Sequence, residues 1–243
     1  MRVGVLSDVH GNAAGLDAVL NAMPKVDLLL FAGDFLGYYF EPATTLRRLR
    51  DSGAVCILGN HDVYFLAHAG LAHPDAPFPD ADAYRLKYGP ALEIARDTLT
   101  TAEVEWLSTL PAQRSLQLEG VHVLLAHGSP WRPVDEYVYP DNPAFERFSN
   151  LETDLVVMGH THHPFVRIEG GVTLLNPGSC GQPRDRDPRA AFALIEIDGS
   201  NHSCTLSRAT YDRRALLATC MAIAPDVPLL RDLLTRADPP DPT

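Results

Sequence analysis

The stretch Val3-Gly4-Val5-Leu6-Ser7-Asp8-Val9-His10-Gly11-Asn12 decides how the chain is read, because an apolar run stops on a carboxylate and an imidazole two residues apart. Such a run, bounded by turn-forming residues, predicts a buried strand over 3–6. A helical pattern follows over 13–23, then an apolar run over 28–32, a helical pattern over 43–49 and a third apolar run over 55–58. This βαβαβ alternation predicts a parallel sheet with helices packed on it, because crossovers between parallel strands are nearly always right-handed. Apolar runs at 116–118, 121–126, 155–158, 172–175 and 191–197 come at shorter spacing and predict a second sheet.

Between the two halves the pattern changes. Helix-like stretches over about 64–110 are broken by His73-Pro74, Ala76-Pro77 and Phe78-Pro79, whose prolines mark turns and helix starts, so this region reads as a helical insertion. A further strand is expected over 204–209 and helices over 213–222 and 227–236, before an acidic, Pro-rich tail expected to fray. The whole, 1–243, reads as one α/β domain.

Composition narrows the function. No apolar run approaches the roughly 18 residues of a membrane span, and the N-terminal residues carry no secretory pattern, so a soluble, cytoplasmic protein is expected. The four cysteines, Cys56, Cys180, Cys204 and Cys220, lie far apart in a chain too large to need disulfide staples and are expected to be reduced. A formal net charge of −11 opposes a long polyanion and argues against a dedicated nucleic-acid binder.

Five polar clusters each follow an apolar run: Asp8-Val9-His10, Gly33-Asp34, Gly59-Asn60-His61-Asp62, His127-Gly128 and Gly159-His160-Thr161-His162. In an open α/β sheet ligands bind beyond the carboxyl ends of the strands, so clusters far apart in sequence can converge there. Their hard oxygens and borderline nitrogens suit Mn, Fe, Zn, Co or Ni better than Ca or Mg. Taken singly, each has a plainer explanation: Asp8 or Asn60 as a helix or turn cap, each histidine as a hydrogen-bonded core residue. Taken jointly, half of the ten histidines sit in clusters that all end strands, which favours metal. His68, His73, His122, His163 and His202 keep the structural explanation, with His163 the best candidate to support a ligand from behind.

The ordered set Asp-x-His, Gly-Asp, Gly-Asn-His-Asp, His-Gly, Gly-His-x-His resembles the calcineurin-like metallophosphoesterases. Ser7-Asp8-Val9-His10-Gly11-Asn12 and Asn176-Pro177-Gly178-Ser179 bring it closest to their small prokaryotic phosphodiesterase-like branch. The resemblance covers residues 1 to about 200. It implies two facing β-sheets flanked by helices, with two divalent metal ions at the strand ends, Mn foremost and Fe, Zn, Ni or Co as alternatives. One ion would take Asp8, His10 and His162, the other Asn60, His127 and His160, and Asp34 would bridge them. His61 would stand outside the metal ligands and act catalytically. The segment Gly33-Asp34-Phe35-Leu36-Gly37-Tyr38-Tyr39 lacks the second Asp and the Arg of the related protein serine/threonine phosphatases, which argues against phosphoprotein substrates.

What the resemblance implies chemically is hydrolysis of a small phosphate ester or nucleotide, as phosphodiesterase or phosphatase, by metal-activated hydroxide. His61 would stabilise or protonate the departing oxygen, oriented by Asp62 or another acidic neighbour. The alternatives are a non-catalytic scaffold of the same fold and, more remotely, a nuclease. Tyr38, Tyr39, Tyr64, Trp131, Tyr137 and Tyr139 flank the clusters and offer either an aromatic platform or core packing. Arg184, Arg186 and Arg189 offer either a phosphate site or a solvated loop.

Overall fold

The computed structural model describes residues 1–71 and 80–239. The expected turns at His73-Pro74, Ala76-Pro77 and Phe78-Pro79, His73 itself, and the end of the tail lie outside the described residues. The first half runs β1 (Arg2–Leu6), α1 (Ala13–Ala22), β2 (Leu28–Phe31), α2 (Pro42–Asp51) and β3 (Val55–Cys56). Four helices follow: α3 (Asn60–His68), α4 (Ala81–Tyr88), α5 (Ala91–Thr98) and α6 (Thr101–Ser108). The second half has β4 (Gln113–Leu118), β5 (Val121–Ala126), a 3₁₀ turn at Phe145–Asn150, β6 (Leu155–Val157), β7 (Phe165–Glu169) and β8 (Val172–Asn176). It closes with β9 (Ala190–Asp198), β10 (Asn201–Ala209), α7 (Arg214–Ile223) and α8 (Pro228–Asp232).

The strands form two mixed sheets flanked by helices, ordered β10-β9-β1-β2-β3 and β4-β5-β6-β8-β7. In the first, β1, β2 and β3 are parallel and β9 pairs antiparallel with both β1 and β10, so the run at 191–197, expected in the second sheet, instead extends the first; in the second, β5, β6 and β8 are parallel. Period two explains the near-continuous apolar runs, since both faces of the central strands are buried. Val3, Val5, Leu30 and Ala32 meet Val121, Val123, Leu125, Leu155 and Val157 between the sheets. Leu6, Leu29 and Phe31 point outward to Leu16 and Val19 of α1 and Leu46 and Leu49 of α2. Gly4 shares that outer face because a Cβ there would run into the Met23 thioether.

Caps written in the sequence fix the helix starts. The Asn12 side chain accepts from Gly15 N–H, Pro42 opens α2, Asp80 accepts from Asp82 and Ala83, and Thr100 with Glu103 forms a reciprocal capping box. The helical insertion is present in the described part of 64–110. The boundaries that differ from expectation are those of edge strands and the last helix: β3 is shorter than 55–58, β4 and β10 start earlier, α8 is shorter than 227–236, and β7 is an unexpected strand. The four cysteines are free thiols. Among the described residues, no helix is long and apolar enough to cross a membrane.

Candidate metal centre

All five clusters lie just beyond the carboxyl ends of β1, β2, β3, β5 and β6, on one rim of the two sheets. Asp8 (φ 54°), His10 (φ 51°), Asp34 (φ 64°), His160 (φ 66°) and His162 (φ 61°) all have left-handed backbones. Each such residue costs roughly 1–3 kcal/mol and persists only where its surroundings over-determine it. Here the loops after β1 and β2 are laced together: Asp8 N–H donates to Gly33 O at 2.9 Å, His10 N–H to Asp34 O at 3.1 Å and Gly11 N–H to Phe35 O at 2.9 Å. From the other sheet, Ser179 Oγ donates to Asp8 O at 2.7 Å, and Asn176 Nδ2 to Gly159 O at 2.7 Å. Ser179 and Asn176 therefore fix the loops that carry Asp8 and His160. Glycine is required at position 59, where a Cβ would collide with Asp34 Oδ1 and lie 2.5 Å from its backbone nitrogen.

The rings are aimed by their back nitrogens. Nδ1 of His10 meets Leu36 O at 2.7 Å, Nδ1 of His127 meets Ala32 O at 2.7 Å, and Nδ1 of His162 meets Gln182 O at 2.5 Å. A carbonyl only accepts, so each Nδ1 carries a proton, and in a neutral ring Nε2 then presents a lone pair. Those Nε2 atoms converge. His162 Nε2 is 3.2 Å from Asp8 Oδ1, His127 Nε2 is 3.3 Å from Asp34 Oδ2 and 3.1 Å from Asn60 Oδ1, and His10 Nε2 is 3.6 Å from Asp34 Oδ2.

Two donor sets result, Asp8 with His10 and His162, and Asp8 with Asp34 and His127, all buried and each with its ligand atoms within 4.8 Å of one another. Asn60 and His160 border the second set; the His160 ring centroid is 5.0 Å from that of His127. Asp8 Oδ1 and His160 Nε2 are buried without a hydrogen-bond partner. A buried polar atom left unpaired is costly, and a cation beside each would satisfy it. The donor set fits two divalent ions.

Electrostatics agree with that fit. Burial holds His10, His160 and His162 well below the ordinary histidine range, reinforced at His10 by neighbouring His162 and at His162 by Arg184. They are neutral, as metal ligands must be. Burial also pushes His127 down, but the Asp34 carboxylate outweighs it and raises His127 to about 9. Burial opposes charge on Asp34 too, and His127 and His61 outweigh that to lower it.

The flanking residues divide. His61 is buried beside the centre, its ring 5.0 Å from His10, but its Nδ1 pairs with the Tyr84 hydroxyl at 2.5 Å. Asp62, expected as a candidate to orient His61, instead accepts from the backbone N–H groups of Asp34, Leu36 and Gly59. Tyr84 went unrecognised because its only sequence signal is a place in the helical insertion. Of the three loop arginines, Arg184 is half-buried at the centre and donates to the Tyr38 hydroxyl at 2.6 Å; Arg186 is exposed and Arg189 pairs with Asp187. Tyr39 is core, and Trp131 packs on Phe148. Tyr137 lies over His160 at 3.9 Å and stacks with Tyr139, both partly exposed, while Tyr64 stands 5.7 Å from His61.

Comparison with known proteins adds three kinds of likeness. The family model for the calcineurin-like phosphoesterase superfamily domain matches residues 1–200. An uncharacterized protein of Methanocaldococcus jannaschii is 29% identical over 229 residues, covering 86% of this chain and 88% of its own length. A "probable metallophosphoesterase" of Methanothermobacter thermautotrophicus is 28% identical over 214 residues, covering 86% of this chain and 92% of its own. The crystal structure of a metallophosphoesterase from Sphaerobacter thermophilus superposes with a TM-score of 0.75 at 28% identity, covering 97% of each chain.

Proposed function

The chain belongs to the calcineurin-like phosphoesterase superfamily, and from that premise we propose that it hydrolyses small phosphate esters, nucleotides among them. It is a metal-dependent hydrolase. The observation that carries the reading is the pair of buried Asp/His donor sets sharing Asp8, beside two unpartnered buried polar atoms. In this proposal Asp8, His10 and His162 hold one ion, Asn60, His127 and His160 hold the other, and Asp34 bridges. Manganese is the first choice, with Fe, Zn, Ni or Co as alternatives, because the set offers nitrogen and oxygen but no thiolate. We treat 1–243 as one phosphoesterase domain and place it in the cytoplasm, where its thiols stay reduced.

Two bound divalent ions polarise phosphoryl oxygens and lower the pKa of water, which supplies the nucleophile. The chain's own residues do the rest. Asp8 and Asp34 only partly offset four positive charges, and Arg184 adds another beside them, so the pocket attracts a phosphate. Tyr137 and Tyr139 form an exposed ledge at the rim, suited to a nucleobase or aryl group. His61, outside the ligand set, faces the departing oxygen.

The test is turnover of bis(p-nitrophenyl) phosphate with Mn, lost on chelation and regained on adding metal back. A fully metallated protein that cleaves neither activated diesters nor monoesters would overturn the reading.

A further inference from the structure

Tyr84 reaches the centre from α4, in the helical insertion, and is buried with its hydroxyl 2.5 Å from His61 Nδ1. The two rings meet edge to face at 5.5 Å, within a cage that also includes Tyr38 at 4.8 Å and Tyr88 at 5.3 Å from His61. Opposite them, Gly37 has φ +90°, and a Cβ there would lie 2.5 Å from His61 Nδ1 and 3.1 Å from the Tyr84 hydroxyl. The loop after β2 thus leaves room for this one bond. The Asp62 carboxylate does not compete for it, being committed to three backbone N–H groups.

We propose that Tyr84 is a positioning residue for departure of the leaving group: its hydroxyl fixes the plane and tautomer of His61, so that Nε2–H is presented to the departing oxygen. This rests on the role given to His61 above. A phenol can donate where a carboxylate only accepts, so Tyr84 places the neutral ring's proton on Nε2. Burial keeps that phenol protonated by raising it well above the ordinary tyrosine range. As the P–O bond breaks, its electron pair stays on the leaving oxygen, and Nε2–H stabilises that charge through a hydrogen bond. The proton balance closes through water: the attacking water gives up one proton and the leaving oxygen gains one.

The experiment is a double-mutant cycle of Tyr84→Phe and His61→Ala in metal-loaded protein, assayed on an alkyl and a p-nitrophenyl ester, with metal content and Tm measured for each variant. Tyr84→Phe keeps the packed ring. It should lower kcat on the alkyl ester by about 10- to 100-fold, as misplacement of a catalytic group does, with far less effect on the p-nitrophenyl ester. In the His61→Ala background it should add nothing. In the Zn-loaded protein, the isotope-labelled imidazole nitrogens of His61 should report the Nε2–H tautomer and lose that preference in Tyr84→Phe. Equal losses on both esters, a loss that multiplies that of His61→Ala, or an unchanged tautomer would overturn the role of Tyr84 while leaving that of His61 standing. If His61→Ala itself spares the alkyl ester, the His61 reading fails and the Tyr84 role with it.

Discussion

His10 Nε2 faces His162 Nε2 at 3.1 Å across 152 residues of sequence, and both rings spend their Nδ1 protons on backbone carbonyls. Two lone pairs at that distance repel. Burial, which keeps both rings neutral, removes the option of a shared proton, and a cation between them turns the repulsion into coordination. Metal should therefore stabilise the fold. At a free concentration 100 times Kd, one ion adds about 2.7 kcal/mol, so Tm should rise by about 5–10 °C in a calorimetric scan. An unchanged Tm would show that the donors bind nothing.

Asp34 Oδ2 lies 3.3 Å from His127 Nε2 within one donor set and 3.6 Å from His10 Nε2 of the other. One carboxylate serving two cations cannot be replaced by a neutral amide. Asp34→Asn should lose much of the metal at both positions, measured as ions per chain after desalting. Two ions retained at wild-type affinity would show that Asp34 does not bridge.

Proton release should accompany loading. His127 in the metal-free protein is raised to about 9, so at neutral pH it holds a proton that must leave before Nε2 can ligate. Affinity at this position should climb as pH rises toward 9 and level off above it. The metal-free fold has the opposite trend: the stabilisation from charged His127 is complete below the ordinary histidine range, near 6.5, and is lost as pH rises through about 9. Titration calorimetry in buffers of different ionisation enthalpy should give about one proton released per chain at pH 7, from the His127 position alone, and none released would contradict the assignment.

How much of this was legible in sequence follows the sheets. The central strands β1, β2, β5, β6, β8 and β9 were predicted to within about a residue at each end, because burial on both faces writes an unbroken apolar run. The edge strands β3, β4, β7 and β10 are less legible because each has one partner: exposed polar residues such as Arg114 or Arg167 interrupt the apolar signal of β4 and β7, while the apolar run 55–58 continues past the end of β3 through buried Ile57 and Leu58. Four of the clusters were legible for the same reason as the central strands, since they follow the parallel strands β1, β2, β5 and β6; the fifth follows the edge strand β3 and was legible from the apolar run that leads into Gly59. The Tyr84–His61 bond was not, because it joins two helices whose relative placement is set by packing alone. Nor could the sequence separate Arg184 from Arg186 and Arg189, which share one charged loop and differ only in which way the backbone turns them.

The most direct test of a two-metal hydrolase is to titrate Mn into chelator-stripped protein while following both bound metal and hydrolysis of bis(p-nitrophenyl) phosphate. Turnover should appear as the second ion binds and plateau at two ions per chain. Full loading at two ions without turnover, or full turnover with a single ion, would contradict it.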